Sequence, residues 1–184
     1  PFTPIYDIQG SGAASPMVGQ TVTTEGVVTG DFQEGGKKGF FIQDATGDGD
    51  DATSDGIFVY YPNAPEVNVG DKLRITGRVS EYYDLTQITG SALQVCSNGN
   101  TIEPVVLTLP FDSKNHEHLE GMLVTFPQAL VISEYFNFDR YGELLLTSTR
   151  HTTPTAYLEP GPDAVAAQAA HLLDSIAVDD GSTF

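Results

Sequence analysis

The stretch Asp44-Ala45-Thr46-Gly47-Asp48-Gly49-Asp50-Asp51-Ala52-Thr53-Ser54-Asp55 places five carboxylates within twelve residues. Charges this close repel one another unless water or a cation screens them. Hard divalent cations take about six to eight oxygen ligands, and a glycine-bent chain wraps oxygens around one point. On the twelve-position calcium loop, Asp44, Asp48 and Asp50 fall at positions 1, 5 and 7, Gly49 at the turning position 6 and Asp55 at position 12. Thr46 stands where Asp or Asn is expected, and the flanks read as strands rather than helices, so the loop is not an EF-hand. Two readings stay open: a calcium site formed by Asp44, Asp48, Asp50, Asp51 and Asp55, or a solvated acidic turn.

A second chemistry-bearing segment is Lys72-Leu73-Arg74-Ile75-Thr76-Gly77-Arg78-Val79. In a strand, alternation sends Lys72, Arg74 and Arg78 to one face and Leu73, Ile75 and Val79 to the other. If Phe41, Phe58 or Tyr60 join the basic face from neighbouring strands, the surface suits stacked bases and phosphates of DNA or RNA. The competing reading is a solvent face of cations paired with carboxylates.

The remaining candidates are weaker. Tyr82-Tyr83 and Phe136-Asn137-Phe138 add aromatic surface, and His116-Glu117-His118 with Glu120 offers metal-ligating types without the His-Glu-x-x-His spacing. Cys96 has no basic partner nearby in sequence and Ser11 lacks a strand-to-helix elbow, so neither reads as a nucleophile. No phosphate-cradling loop or dinucleotide fingerprint is present, and no catalytic residue is assigned.

The elements that must position these groups are strands. Alternating runs rich in Val, Ile, Thr, Phe and Tyr, bounded by Gly, Pro, Asn and Asp, predict strands over 21–32, 39–43, 56–61, 72–82, 87–96, 123–133 and 143–147. A helix is expected over 163–173, capped by Asp163, with a shorter helical turn over 114–120. The fold class is therefore all-β: an OB-like Greek-key barrel over residues 1–100, then a second β subdomain over 101–184 that adds a β layer and a short C-terminal helix. Gly26, Gly30 and Gly77 allow the coiling that closes such a barrel.

Composition sets the outer limits. At 184 residues the chain can bury a substantial core, and a lone cysteine excludes an intramolecular disulfide. A net charge of -17 opposes nonspecific attachment to phosphate backbones and favours cations. No run of about 20 apolar residues suggests a membrane span. The chain reads as a piece of something longer.

Several strings, in order, resemble the region preceding the catalytic domain in bacterial extracellular nucleases of the ExeM/NucH type. They are Ile5-Tyr6-Asp7-Ile8-Gln9-Gly10, Thr24-Glu25-Gly26-Val27-Val28-Thr29-Gly30, Gly39-Phe40-Phe41-Ile42-Gln43-Asp44, Gly47-Asp48-Gly49-Asp50, Thr53-Ser54-Asp55-Gly56-Ile57-Phe58-Val59, Glu120-Gly121-Met122-Leu123-Val124, Arg140-Tyr141-Gly142-Glu143 and Val178-Asp179-Asp180-Gly181. The resemblance implies an OB-fold-like accessory module of a secreted or cell-surface nuclease. Its partner would be a C-terminal nuclease domain of the endonuclease/exonuclease/phosphatase fold, and the fragment itself would carry no catalysis. The alternative is a structural or interaction module that contacts its own nuclease domain, cell wall or glycans without touching DNA.

Overall fold

The computed structural model describes residues 2–34 and 36–181. The described residues form two compact units: one runs through Val105 and regains Asn115–Val124, and the other holds Val106–Lys114 and the described residues from Thr125 to Gly181. Asn115–Val124, from the second half of the chain, thus belongs to the first unit.

In the first unit, helix α1 (Ile5–Gln9) precedes strands β1 (Thr21–Phe32), β2 (Gly39–Gln43), β3 (Gly56–Tyr60), β4 (Lys72–Tyr82) and β5 (Leu85–Ser97). These five strands close into a barrel in the order β1-β2-β3-β5-β4. All pairs are antiparallel except β3 with β5, which run parallel through Phe58–Gln87, Val59–Ile88 and Tyr60–Thr89. A five-stranded closed Greek key of this order is the OB fold.

Closure follows from local features. β1 is long enough to pair with β4 through its first half and with β2 through its second, with a register shift between Val28 and Gly30 where it bends. β4 shifts against β5 between Thr76 and Gly77, and a side chain at Gly77 would overlap Ile88 and the Thr89 carbonyl. Inward residues alternate along each strand to form the core: Val22 and Val28, Phe40 and Ile42, Ile57 and Val59, Leu73, Ile75 and Val79, and Ile88. Ile5 and Ile8, both fully buried, project from α1 into the same core. The sequence reading had no helix at 5–9, because a single turn is too short for its period to register.

The second unit holds helix α3 (Pro162–Leu173) and a three-stranded sheet in which β9 (Leu144–Thr147) lies between β8 (Val131–Glu134) and β10 (Ile176–Val178). Two short strands, β6 (Val105–Val106) and β7 (Val124–Thr125), form a separate two-stranded sheet. The single strand expected over 123–133 is therefore two, β7 and β8 (Val131–Glu134), interrupted around Pro127, whose missing N–H cannot serve a ladder. Helix α2 (Phe138–Tyr141) is one turn, followed by β9 (Leu144–Thr147). Helix α3 (Pro162–Leu173) precedes β10 (Ile176–Val178), which had not been expected. At α3, Gly161 stands at the cap and Pro162 opens the helix, so Asp163 lies in the first turn rather than capping it. The helical turn expected over 114–120 is a 3₁₀ turn at Glu117–Leu119.

Candidate nucleic-acid interface

Three of the predicted aromatic residues come together on the outer face of β2 and β3. Phe41 lies directly opposite Phe58 in the antiparallel register, and their ring centroids are 4.9 Å apart. Phe32, near the end of β1, meets Phe41 edge-on at 5.8 Å. Tyr60, two residues beyond Phe58 on the same face, pairs with Gly39 and is 36% exposed. The Phe58 ring covers Gly39, where an added Cβ would meet it. This leaves the Tyr60 ring open to solvent beside a strip of packed rings.

Loops extend this face at both ends. The β1–β2 connection carries the exposed cations Lys37 and Lys38, and its base is tied down where Tyr61 N–H donates to Lys38 O at 3.1 Å. The β4–β5 turn presents Tyr82 and Tyr83, 60% and 89% exposed, with rings edge-to-face at 4.7 Å. Tyr83 and Asp84 both adopt positive φ, at 51° and 63°, as a tight two-residue hairpin requires. Sequence reasoning had not assigned Phe32, Lys37 or Lys38. The adjacency of two of only eight cations in a strand-to-strand turn was the available signal.

The basic strip is elsewhere on the barrel. Leu73, Ile75 and Val79 point inward while Arg74 and Arg78 are exposed and Lys72 half-exposed, as alternation demands. β4, however, is flanked by β1 and β5, so it stands across the barrel from the β2–β3 pair. Lys72, Arg74 and Arg78 are therefore not assembled with Phe41, Phe58 and Tyr60. Lys72 and Arg74 instead converge on Glu25 of β1, at 3.3 Å for Lys72 Nζ and 2.8 Å for Arg74 Nε. The Arg74 bond chiefly, with help from Lys72, holds the Glu25 carboxyl below its ordinary range. That pairing leaves Arg78 as the cation of the strip that does not share Glu25.

The acidic loop joins β2 to β3 and is organised largely by its own carboxylates. Asp44 Oδ1 accepts from Thr46 N at 2.9 Å, Asp48 Oδ1 from Asp50 N at 2.9 Å, and Asp50 Oδ1 from Ala52 N at 3.0 Å. Thr53 Oγ1 donates to Asp48 Oδ2 at 3.1 Å, and Asp51 is exposed. Asp55 lies against Gly47, and its Oδ1 is buried without a partner. Burial, with Asp48 and Asp44 nearby, raises the Asp55 pKa. Among the described residues no three His, Cys, Asp or Glu side chains gather as ligands of one ion.

The returning segment Asn115–Val124 docks beside the start of β3. Ser54 Oγ donates to Glu120 O at 2.6 Å, Leu123 N to Gln43 Oε1 at 2.8 Å, and Gly121 backbone lies against Gly56. The Glu120 side chain accepts from Thr86 N at 2.9 Å and Gln9 Nε2 at 3.2 Å. Desolvation, outweighing those two bonds, pushes its pKa up to about 7, with Glu117 and Glu81 adding smaller contributions in the same direction. His116 and His118 thus belong to a docking segment, and burial lowers the His116 pKa, with His118 adding to the effect.

No protein-family model matches the chain, and no curated protein matches it. Solved structures match part of the chain. The mitochondrial single-stranded DNA binding protein Rim1 of S. cerevisiae matches at 13% identity and a TM-score of 0.36, over 45% of this chain and 99% of its own. The hypothetical protein ygiW from E. coli matches at 18% identity and a TM-score of 0.32, over 42% of this chain and 76% of its own. OBody AM1L10, bound to hen egg-white lysozyme, matches at 18% identity and a TM-score of 0.33, over 45% of this chain and 84% of its own.

Proposed function

We propose that this chain is a noncatalytic OB module of a secreted nuclease and that it holds single-stranded nucleic acid across the outer face of β2 and β3. The observation that carries the reading is the strip Phe32–Phe41–Phe58 with the open Tyr60 ring, set beside Lys37 and Lys38 at one end and Tyr82–Tyr83 at the other. Phe58 is buried and backs the face, with Phe32 and Phe41 half-buried, so Tyr60, Tyr82 and Tyr83 offer the open rings that stack bases of any sequence, and a few cations suffice to track the phosphates. The net charge of -17 makes such binding weak and confined to this face. Secretion and the partnership with a nuclease domain rest on the string resemblance alone.

Calcium at the β2–β3 loop is a second part of the proposal. It is supported by the unpartnered Asp55 Oδ1 and by Asp48 and Asp44 standing near that carboxyl, whose pKa is raised chiefly by burial. An ion there would bridge carboxylates that otherwise repel, after rearrangement of the turn bonds. A reading without nucleic acid, as a module that contacts its own nuclease domain, draws support from the pairing of Lys72 and Arg74 with Glu25.

Fluorescence anisotropy with labelled single-stranded oligonucleotides at low salt tests the main reading. Binding is expected to weaken with salt, and Phe41→Ala and Tyr60→Ala should each cost about 1–3 kcal/mol, as loss of a stacked base does. Lys37→Ala with Lys38→Ala should flatten the salt dependence. Absence of binding with and without calcium removes the nucleic-acid role, and nicking of plasmid DNA in magnesium or manganese would contradict the noncatalytic assignment.

A further inference from the structure

The turn between β8 and β9 is rigid and rich in exposed rings. Phe138 N–H donates to Tyr135 O at 3.1 Å, Tyr141 N–H to Asn137 O at 2.8 Å and Gly142 N–H to Phe138 O at 2.9 Å. Asn137 Nδ2 donates to Glu143 Oε1 at 3.1 Å across its base, and Gly142 closes it in the left-handed conformation. On this frame Tyr135 is 71% exposed, Phe136 85%, Phe138 55% and Tyr141 42%. A tight connection asks only for Gly, Asn, Asp or Ser. Clustered exposed rings on a turn whose backbone is tied by its own hydrogen bonds mark a surface that meets a partner.

The groups around the rings select the partner. Glu134 and Asp139 are exposed beside them, Glu143 lies at the base, and the Asp180 carboxylate sits over Gly142. Arg140 is the cation of this turn, and its guanidinium lies 5.1 Å from the Tyr141 ring centroid. Acceptors therefore outnumber cations, which disfavours nucleic-acid phosphates and anionic lipid surfaces. Sinking the rings into a bilayer would also strip water from carboxylates at the same level. A neutral, hydroxyl-rich ligand meets none of these costs: its O–H groups donate to carboxylates while its C–H faces lie on the rings.

We propose that the β8–β9 turn is a carbohydrate platform that binds a neutral polysaccharide chain, with Tyr135 and Phe136 as stacking rings and Glu134 and Asp139 as hydroxyl acceptors. The site belongs to the second unit and is independent of the β2–β3 face.

Native electrophoresis of the full chain through gels containing soluble xylan, mixed-linkage glucan or glucomannan, with sedimentation on insoluble chitin and cellulose, tests it. Retention by at least one polysaccharide is expected, with Phe136→Ala and Tyr135→Ala each weakening it tenfold or more at unchanged far-UV circular dichroism. No retention on any of these polymers overturns the proposal, as does retention unchanged in both variants. Co-sedimentation with phosphatidylcholine vesicles instead of polysaccharide would assign the turn to lipid and equally overturn it. Oligonucleotide binding by Phe136→Ala should match the parent chain, so failure here leaves the nucleic-acid reading intact, and the reverse also holds.

Discussion

Replacing Glu120 by Gln removes a charge beside the start of β3 while keeping a side-chain oxygen for Thr86 N–H and Gln9 Nε2, which donate at 2.9 Å and 3.2 Å. Burial raises the Glu120 pKa from 4.5 to about 7. A carboxyl raised in the folded state keeps its proton where the unfolded chain has already lost it. Its contribution is therefore complete below about 4.5 and is lost as pH climbs through about 7. At about 1.36 kcal/mol per pH unit, the shift amounts to roughly 3 kcal/mol. Glu120 is only half-buried, and solvent screening reduces this to about 1–2 kcal/mol. The variant should match the parent chain near pH 5 and exceed it by about 1–2 kcal/mol at pH 8, a shift of about half a molar or more in the urea midpoint. Asp55, also raised, acts in the same direction, whereas His116, lowered, favours the folded state as pH rises. Both contributions cancel in the difference between variant and parent. Urea unfolding followed by tyrosine fluorescence, at pH 5, 6, 7 and 8, measures that difference. A gap that stays constant with pH, or a variant less stable than the parent at pH 8, would refute the argument.

Further outcomes follow from single contacts. Gly56→Ala drives a methyl group into the Gly121 backbone and should cost about 1–3 kcal/mol, read as early proteolytic cleavage within 115–124. Phe40→Ala empties the largest fully buried side chain of the barrel and should cost about 3–5 kcal/mol in chemical denaturation. Glu25→Ala frees Lys72 and Arg74 at a stability cost of about 0.2–1 kcal/mol, and oligonucleotide affinity should change less than twofold; a tenfold gain would move the interface to β4. Chelation with EGTA should lower the melting temperature, because an ion present at a hundredfold excess over its Kd contributes about 2.7 kcal/mol, and an unchanged melting curve counts against calcium at the β2–β3 loop.

What this chain's residues specify locally is legible without its structure. Alternation along 72–79 already assigns Leu73, Ile75 and Val79 to one face and Lys72, Arg74 and Arg78 to the other, because side chains in a strand alternate whatever the strand packs against. Turn residues mark where β1 through β5 begin and end with errors of a residue or two. Which strands become neighbours is another matter. Closure places β4 across the barrel from β2 and β3, so Phe41, Phe58 and Tyr60 do not join the face that carries Lys72, Arg74 and Arg78. Glu120 shows the limit most plainly: Gln9, Ser54 and Thr86 approach it from distant parts of the chain. Local pattern carries propensity and face. Partner, desolvation and the proton affinity that follows from them arise only when the barrel closes and the 115–124 segment docks on it.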